Sequence, residues 1–159
     1  MQDPAAGDLL ALATRPVTID AAASVAAAAQ AMGEKHVGSV VVTEDERPVG
    51  LVTDRDLVMA SLLRPKGSEP PPVGEVASRP FLHVMSGATV VDATNMMEHH
   101  CVRRIGVVDA SGALVGVISA DDVLLAMGRS LEGLAGAVAR EFAEEIDPTS
   151  STTSSYGPE

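Results

Sequence analysis

The chain has 159 residues, of which 46% are hydrophobic, enough to form the core of one ordinary domain or of two small domains that share a core. Its formal net charge of −11 repels nucleic-acid backbones and anionic membranes, and an aromatic content of 2% leaves few side chains on which bases could stack. These totals argue against nucleic-acid binding and against a membrane partner.

The sequence contains no signal for export or membrane insertion. No segment approaches the ~18 uninterrupted apolar residues of a membrane span, and the N-terminus lacks a basic region followed by an apolar run. Cys101 is the single cysteine, so an internal disulfide is excluded. We therefore expect a cytoplasmic protein.

The predicted strands occur in two similar sets. Short strands are predicted at residues 17–19 and 81–84, and longer, buried strands rich in β-branched residues at 37–42 and 102–108. In each half a turn links the longer strand to a further apolar run.

A helix is predicted between the first two strands of each half. Residues 24–33 and 89–99 carry apolar side chains at three- and four-residue spacing, which is typical of an amphipathic helix. Ser24 and Thr89 are the expected N-caps, and Gly33 is expected to end the first helix. Each half therefore reads β-α-β-β-α.

Both halves close with the same short motif. GLVTDRD in the first half and GVISADD in the second place Thr53 or Ser119 three residues before Asp56 or Asp122. The motif lies where an apolar strand meets a helix, so backbone N–H groups without partners can be capped by side chains or can bind an anionic ligand. Both interpretations stay open at this point.

The internal repeat divides the chain into five parts. We predict a first repeat at residues 1–63, a proline-rich linker at 64–72, a second repeat at 73–128, a C-terminal amphipathic helix at 129–147 and a disordered tail at 148–159. Each repeat alone has a thin core, so the two are expected to pack face to face.

The C-terminal helix is expected to begin after a break at Gly128. Apolar residues recur every three or four positions from Leu131 to Ile146, and the opposite face is acidic. An acidic face disfavours a membrane surface, so the helix is expected to pack against its own module or a second copy of the chain. A homodimer is the preferred interpretation.

Together these residues resemble the cystathionine-β-synthase (CBS) domain family, arranged as the tandem pair called a Bateman module. The resemblance rests on the two glycine, apolar, apolar, Thr/Ser, two residues, Asp motifs, each preceded by an Ala- and Met-containing helix and a Val-rich strand. It implies an α+β fold of two β-α-β-β-α repeats packed with pseudo-twofold symmetry. It further implies clefts that bind AMP, ADP, ATP or S-adenosylmethionine as a regulatory ligand, without an obligatory cofactor.

The resemblance also implies the site residues. Asp56 and Asp122 would accept hydrogen bonds from a ribose diol, and Thr53 and Ser119 would contact ribose or phosphate. The arginines assigned to the same ligand site are Arg55, Arg103 and Arg104. The apolar residues assigned to the adenine slots are Val17 and Val40 in one cleft and Phe81 and Ile105 in the other.

For each of these features a structural explanation stands beside the functional one. The two aspartates could act only as helix caps, and Arg103 and Arg104 could act only in surface ion pairs. The sequence His99-His100-Cys101 contains metal-ligand types, but adjacent helical residues point about 100° apart, so no metal site is predicted.

The expected function is regulatory. No catalytic triad, metal motif or Gly-rich phosphate loop is present in the sequence, so no catalytic residue is assigned. We expect a stand-alone sensor of adenosyl nucleotides, and hence of cellular energy state, that signals to an unknown regulated protein. The alternative is a constitutive structural or dimerisation module with no bound nucleotide.

Overall fold

The computed structural model of the chain describes residues 9–63, 65 and 67–146, and it contains the predicted repeat. The first repeat consists of β1 (Thr18–Asp20), α2 (Val25–Lys35), β2 (Ser39–Glu44), β3 (Arg47–Thr53) and α3 (Asp54–Leu62). The second consists of β4 (His83–Met85), α5 (Val90–His100), β5 (Arg104–Val108), β6 (Leu114–Ser119) and α6 (Ala120–Ile146). The α+β fold with two β-α-β-β-α repeats is confirmed.

Each repeat forms its own three-stranded sheet. The strand orders are β1-β2-β3 and β4-β5-β6, with the first pair parallel and the second antiparallel in both sheets. The registers match as well, because Ser39 pairs with Thr53 in one sheet and Arg104 pairs with Ser119 in the other. Residues at equivalent positions of the two repeats can therefore be compared directly.

The helix starts follow the sequence signals, but one helix end does not. The Ser24 side chain accepts a hydrogen bond from the Ala27 N–H, and Thr89 caps α5 in the same way. The prediction that Gly33 ends α2 is wrong, since the helix continues to Lys35 and ends at His36 in the left-handed conformation (φ 53°). A glycine lowers helix stability by only ~1 kcal/mol, which the packing of α2 overcomes.

The break predicted at Gly128 is also wrong. Helix α6 runs without interruption for 27 residues, which corresponds to about 40 Å. Its apolar side chains remain on the surface: Leu131, Leu134 and Phe142 are 65%, 62% and 60% exposed. Within the described ranges, no helix is both long and apolar enough to cross a membrane. The predicted tail, residues 148–159, lies outside the described residues.

Two short leading helices exchange places between the repeats. Leu9 of α1 (Leu9–Leu12) is 1% exposed and lies in the hydrophobic core of the second repeat. Val73 of α4 (Val73–Val76) is fully buried in the core of the first repeat. Each repeat thus completes the other's core, and neither sheet is covered by its own sequence alone.

Backbone hydrogen bonds hold both leading segments against the opposite repeat. The Thr14 N–H donates to the Val117 carbonyl at 2.8 Å, and the Ser78 N–H donates to the Leu51 carbonyl at 2.9 Å. Each segment thereby adds a bridge to the last strand of the other sheet. The segment before β1 therefore lies beside β6, and the segment before β4 lies beside β3. Strands β3 and β6 are the ones that lead into the Thr/Ser-x-x-Asp motifs.

The two sheets meet through a small apolar cluster. Phe81, Val41 and Val108 are buried together, and partly buried side chains pack around them. The Phe81 ring lies directly over Gly106, where a Cβ would come within 2.1 Å of the ring Cζ. Gly106 is therefore the space that allows Phe81 to fill the interface between the sheets.

Candidate functional site

Two of the cavities between the repeats each contain one copy of the Thr/Ser-x-x-Asp motif. The first has a volume of about 230 Å³ and the second about 140 Å³. The first is lined by Leu51, Thr53, Asp54, Arg55, Asp56, Ser78, Pro80, Leu82, Cys101, Val102, Arg103 and Arg104. The second is lined by Thr14, Arg15, Pro16, Val17, Val37, Gly38, Ser39, Arg104, Val117, Ser119 and Asp122.

Each cavity is assembled from both repeats. In the first, Thr53 and Asp56 of repeat one face Arg103 and Arg104 of repeat two. In the second the contributions are reversed, with Ser119 and Asp122 opposite the segment that leads into β1. The exchange of the leading segments creates this arrangement, so a single repeat contains neither cavity.

The motif at the first cavity forms a helix cap. The Thr53 N–H and hydroxyl both donate to Asp56 Oδ2, at 2.8 Å and 2.7 Å, and the Asp56 N–H donates to the Thr53 hydroxyl. All hydrogen bonds to the Asp56 carboxylate from described residues go to Oδ2. The oxygen Oδ1 is the one that remains for a ligand donor.

The second cavity repeats this geometry with serine. The Ser119 N–H and hydroxyl donate to Asp122 Oδ2, at 2.9 Å and 2.5 Å. Both aspartates are half-buried at the cavity wall. Each carboxylate therefore caps a helix and borders a cavity at the same time, so the structural and functional interpretations are compatible.

A third copy of this cap lies outside both cavities. The Thr89 N–H and hydroxyl donate to Asp92 Oδ2 at 2.8 Å and 2.7 Å, and these two hydrogen bonds, the backbone one first, hold the pKa of the Asp92 carboxyl below its ordinary value. The same motif thus occurs without a cavity. Only its position against the opposite repeat distinguishes Asp56 and Asp122 from Asp92.

The arginines at the first cavity are not occupied by surface ion pairs. Within the described ranges the salt bridge is that between Arg79 and Glu44, at 2.6 Å, and Arg55, Arg103 and Arg104 take part in none. The explanation of Arg103 and Arg104 as surface ion pairs therefore finds no support there. Three guanidinium groups border one small cavity of a strongly acidic protein.

Three of the four residues assigned to adenine slots do not border these cavities. Val40 and Ile105 are 1% and 0% exposed within the two repeat cores, because they point to the helix-covered face of their strands. Phe81 packs between the sheets. Val17 does border the second cavity.

The apolar walls are formed by neighbouring residues that the sequence analysis did not single out. Leu82, Val102 and Pro80 border the first cavity, and Val37 and Pro16 border the second. Each wall combines a residue before the short strand with one before the longer strand.

Arg15 at the second cavity and Ser78 at the first were not among the predicted site residues. Both lie in the paired sequences ATRP and ASRP that precede the short strands. Their repetition was the available signal, but only the exchange of segments places them at the cavities.

The described part of the chain contains no cluster suited to a metal. His99 and His100 contact each other edge to face, with ring centroids 4.9 Å apart, and Cys101 is exposed. No group of three or more His, Cys, Asp or Glu side chains in that part could hold an ion.

Comparison with known proteins shows the same repeat elsewhere. The CBS domain family model matches residues 6–63 and 73–129. Hypoxic response protein 1 of Mycobacterium tuberculosis is 33% identical over 101 residues, which cover 63% of this chain and 70% of that protein. Uncharacterized protein MK0525 of Methanopyrus kandleri is 33% identical over 94 residues, and the match spans only 48% of its length.

Solved structures share the fold. The CBS domain protein PAE2072 from Pyrobaculum aerophilum, complexed with AMP, has a TM-score of 0.64 and 29% identity, covering 76% of this chain and 97% of that one. CBSX2 in complex with AMP has a TM-score of 0.64 and 26% identity, covering 77% and 96%. With both repeats matched in sequence and in structure, the chain belongs to the CBS domain family and carries two CBS domains in tandem.

Proposed function

We propose that this chain is a regulatory module that binds an adenosyl nucleotide in the cavities between its CBS domains and signals to a partner protein. The observation that carries the proposal is the first cavity, where Arg103 and Arg104, without ion pairs among the described residues, face Thr53 and Asp56. Guanidinium groups bind phosphate and the carboxylate accepts from ribose hydroxyls, so this cavity offers partners for both polar parts of a nucleotide.

The apolar wall supplies the third part of the site. Leu82, Val102 and Pro80 offer contact surface for a base, in place of the buried Ile105 and the inter-sheet Phe81. Two relatives of this fold are complexes with AMP, which supports the same ligand class here. AMP is the first choice because a cavity of about 230 Å³ lies below the ~300–1,000 Å³ of ordinary ligand pockets and favours a small nucleotide.

Calorimetric titration with AMP, ADP, ATP and S-adenosylmethionine tests the binding. Asp56→Ala and Asp122→Ala each remove a cap and a cavity carboxylate, whereas Asp92→Ala removes the same cap away from the cavities. We expect the first two variants to lose affinity at their own cavity and Asp92→Ala to keep wild-type affinity. Absence of heat with all four ligands, or equal effects of the three substitutions, would contradict the proposal.

A second function is favoured by the exposed surface of α6. Leu131, Leu134, Val138 and Phe142 form an apolar stripe that no other described element covers. We propose that a second copy of the chain covers it, giving a homodimer. In the alternative function this dimer is a constitutive structural module, and the Thr/Ser-x-x-Asp motifs act as caps alone.

Sedimentation velocity across a concentration series tests the dimer. Leu134→Glu places a charge within the stripe and should produce monomers, while Ala143→Glu, on the polar side of the helix near Arg140, should not. A monomeric wild-type chain would refute the dimer. A dimer that binds none of the four ligands would favour the structural alternative.

Signalling requires that the ligand prefer one arrangement of the module over another, since a ligand with equal affinity for both shifts neither. We place the module in the cytoplasm in a regulatory, non-catalytic role that reads adenine-nucleotide levels. Partner capture from lysate with and without AMP, followed by reconstitution with the purified candidate, would test this step. A partner whose affinity is unchanged by AMP would contradict the sensing role.

A further inference from the structure

One side chain borders both cavities. Arg104 is the first residue of β5, pairs with Ser119 of β6, and is half-buried. It lines the first cavity with Thr53 and Asp56, and it also lines the second with Ser119 and Asp122. Arg103 and Arg55 line only the first, so Arg104 differs from both.

The pseudo-twofold symmetry is broken at this position. Ser39 pairs with Thr53 as Arg104 pairs with Ser119, so these two residues are equivalent in the two repeats. Ser39 is uncharged and lines only the second cavity. At this pair of equivalent positions only the second repeat supplies a guanidinium group; Arg15 lines the second cavity but not the first.

The guanidinium lies near groups that border different cavities. Its Nη2 is 3.3 Å from the point where a Cβ on Gly38 would lie, and Asp54 Oδ2 is 3.7 Å from the same point. Gly38 lines the second cavity and Asp54 the first. No ion pair within the described ranges holds the Arg104 guanidinium on either side.

We propose that Arg104 couples the two cavities, so that an anionic ligand bound in one weakens the binding of an anionic ligand in the other. The inference rests on the proposed nucleotide function and specifies its regulation. A planar guanidinium that donates two parallel hydrogen bonds to one phosphate is withdrawn from a second phosphate on its other side. The remaining charge of the first ligand then acts on the second cavity without that cation.

The coupling is reciprocal, because each ligand must change the affinity of the other by the same factor. Two-dimensional NMR titration of the full chain with AMP separates the cavities, since the Thr53 amide reports the first and the Ser119 amide the second. Asp56→Ala and Asp122→Ala provide the affinity of each remaining cavity alone. We expect the second AMP to bind the wild-type chain at least about fivefold more weakly than it binds that cavity alone.

Two comparisons assign the effect to Arg104. In Arg104→Gln the coupling factor should fall to about 1, whereas Arg103→Gln should weaken the first cavity and retain the coupling. Adenosine, which lacks the phosphate, should fill the two cavities of the unaltered chain independently. This last comparison needs no variant and therefore does not depend on the folding of any substituted chain.

Independent filling by AMP in the wild-type chain, or coupling that persists in Arg104→Gln, would overturn the inference while leaving nucleotide binding intact. Failure of AMP to bind either cavity would instead refute the proposed function. In that case a titration with inorganic phosphate alone would test whether Arg104 binds an anion, which the coupling requires. An Arg104 Nε resonance that phosphate does not shift would overturn it as well.

Discussion

The contact between Phe81 and Gly106 provides the sharpest test of how the two repeats are joined. A Cβ added to Gly106 would lie 2.1 Å from the Phe81 Cζ and 2.7 Å from its Cε1, far inside van der Waals contact. Phe81 is 9% exposed and packs with Val41 and Val108, so a shift of its ring would disturb the inter-sheet cluster. Gly106→Ala should therefore destabilise the fold.

The expected magnitude combines two opposing effects. Overpacking of a core by one methyl group costs about 1–3 kcal/mol. Replacing a strand glycine recovers about 0.5–1 kcal/mol, because alanine has less conformational freedom to lose on folding. The contact at 2.1 Å places the cost in the upper part of its range, about 2–3 kcal/mol. The net loss should therefore be about 1–2.5 kcal/mol in the free energy of unfolding, measured by urea denaturation with an unchanged m-value.

Gly33→Ala is the matched control. No atom lies within 4 Å of the position of its added Cβ, in the exposed part of helix α2, so the same substitution should stabilise by about 0.5–1 kcal/mol. Phe81→Leu should shorten the side chain above Gly106 and recover part of the loss in the double variant. Equal stability of Gly106→Ala and the wild-type chain would refute the packing argument.

Three further outcomes follow from the contacts. Leu9→Ala should cost about 2–5 kcal/mol, measured by denaturation, because this side chain from the start of the chain is 1% exposed in the second repeat's core. Hydrogen bonds from Thr89 hold the pKa of the Asp92 carboxyl below its ordinary value of 3.8. Hydrogen bonds, chiefly from the Ser111 side chain, do the same for the pKa of Asp109. The stability that these two carboxylates give the fold is complete above the unfolded-state pKa and is lost as pH falls through the folded-state pKa. Replacing both residues with Asn should therefore flatten the acid side of a plot of melting temperature against pH. Glu44→Gln removes the ion pair between Glu44 and Arg79, whose side chains are 50% and 40% exposed, respectively. The free energy of unfolding should fall by at most about 1 kcal/mol in low salt and by less in 1 M salt, measured by denaturation.

The local elements were predictable because their signals are local. The N-caps at Ser24 and Thr89 and the alternation of strand and helix depend on residues within a few positions of each other. The two errors at Gly33 and Gly128 have one cause. A single glycine is a weak helix breaker, and the flanking residues in each case favour continuation.

The site was predictable only in part. The motif residues Thr53, Asp56, Ser119 and Asp122 lie at the cavities, as does Arg104. Val40 and Ile105 were misplaced, since a strand buried on both faces has no alternation that shows which face meets a cavity. The proposed base-contacting residues at the first cavity are instead Leu82, Val102 and Pro80.

The duplication, the secondary structure of each copy and the residues of the repeated motif were predictable, because they depend on patterns within about sixty positions. The packing of Leu9 and Val73 in each other's repeat and the position of Arg104 at both cavities became apparent only in the folded chain. Such contacts join residues that lie in different repeats and are not neighbours in the sequence. They follow from burial of the two sheets against each other, which one repeat considered alone does not specify.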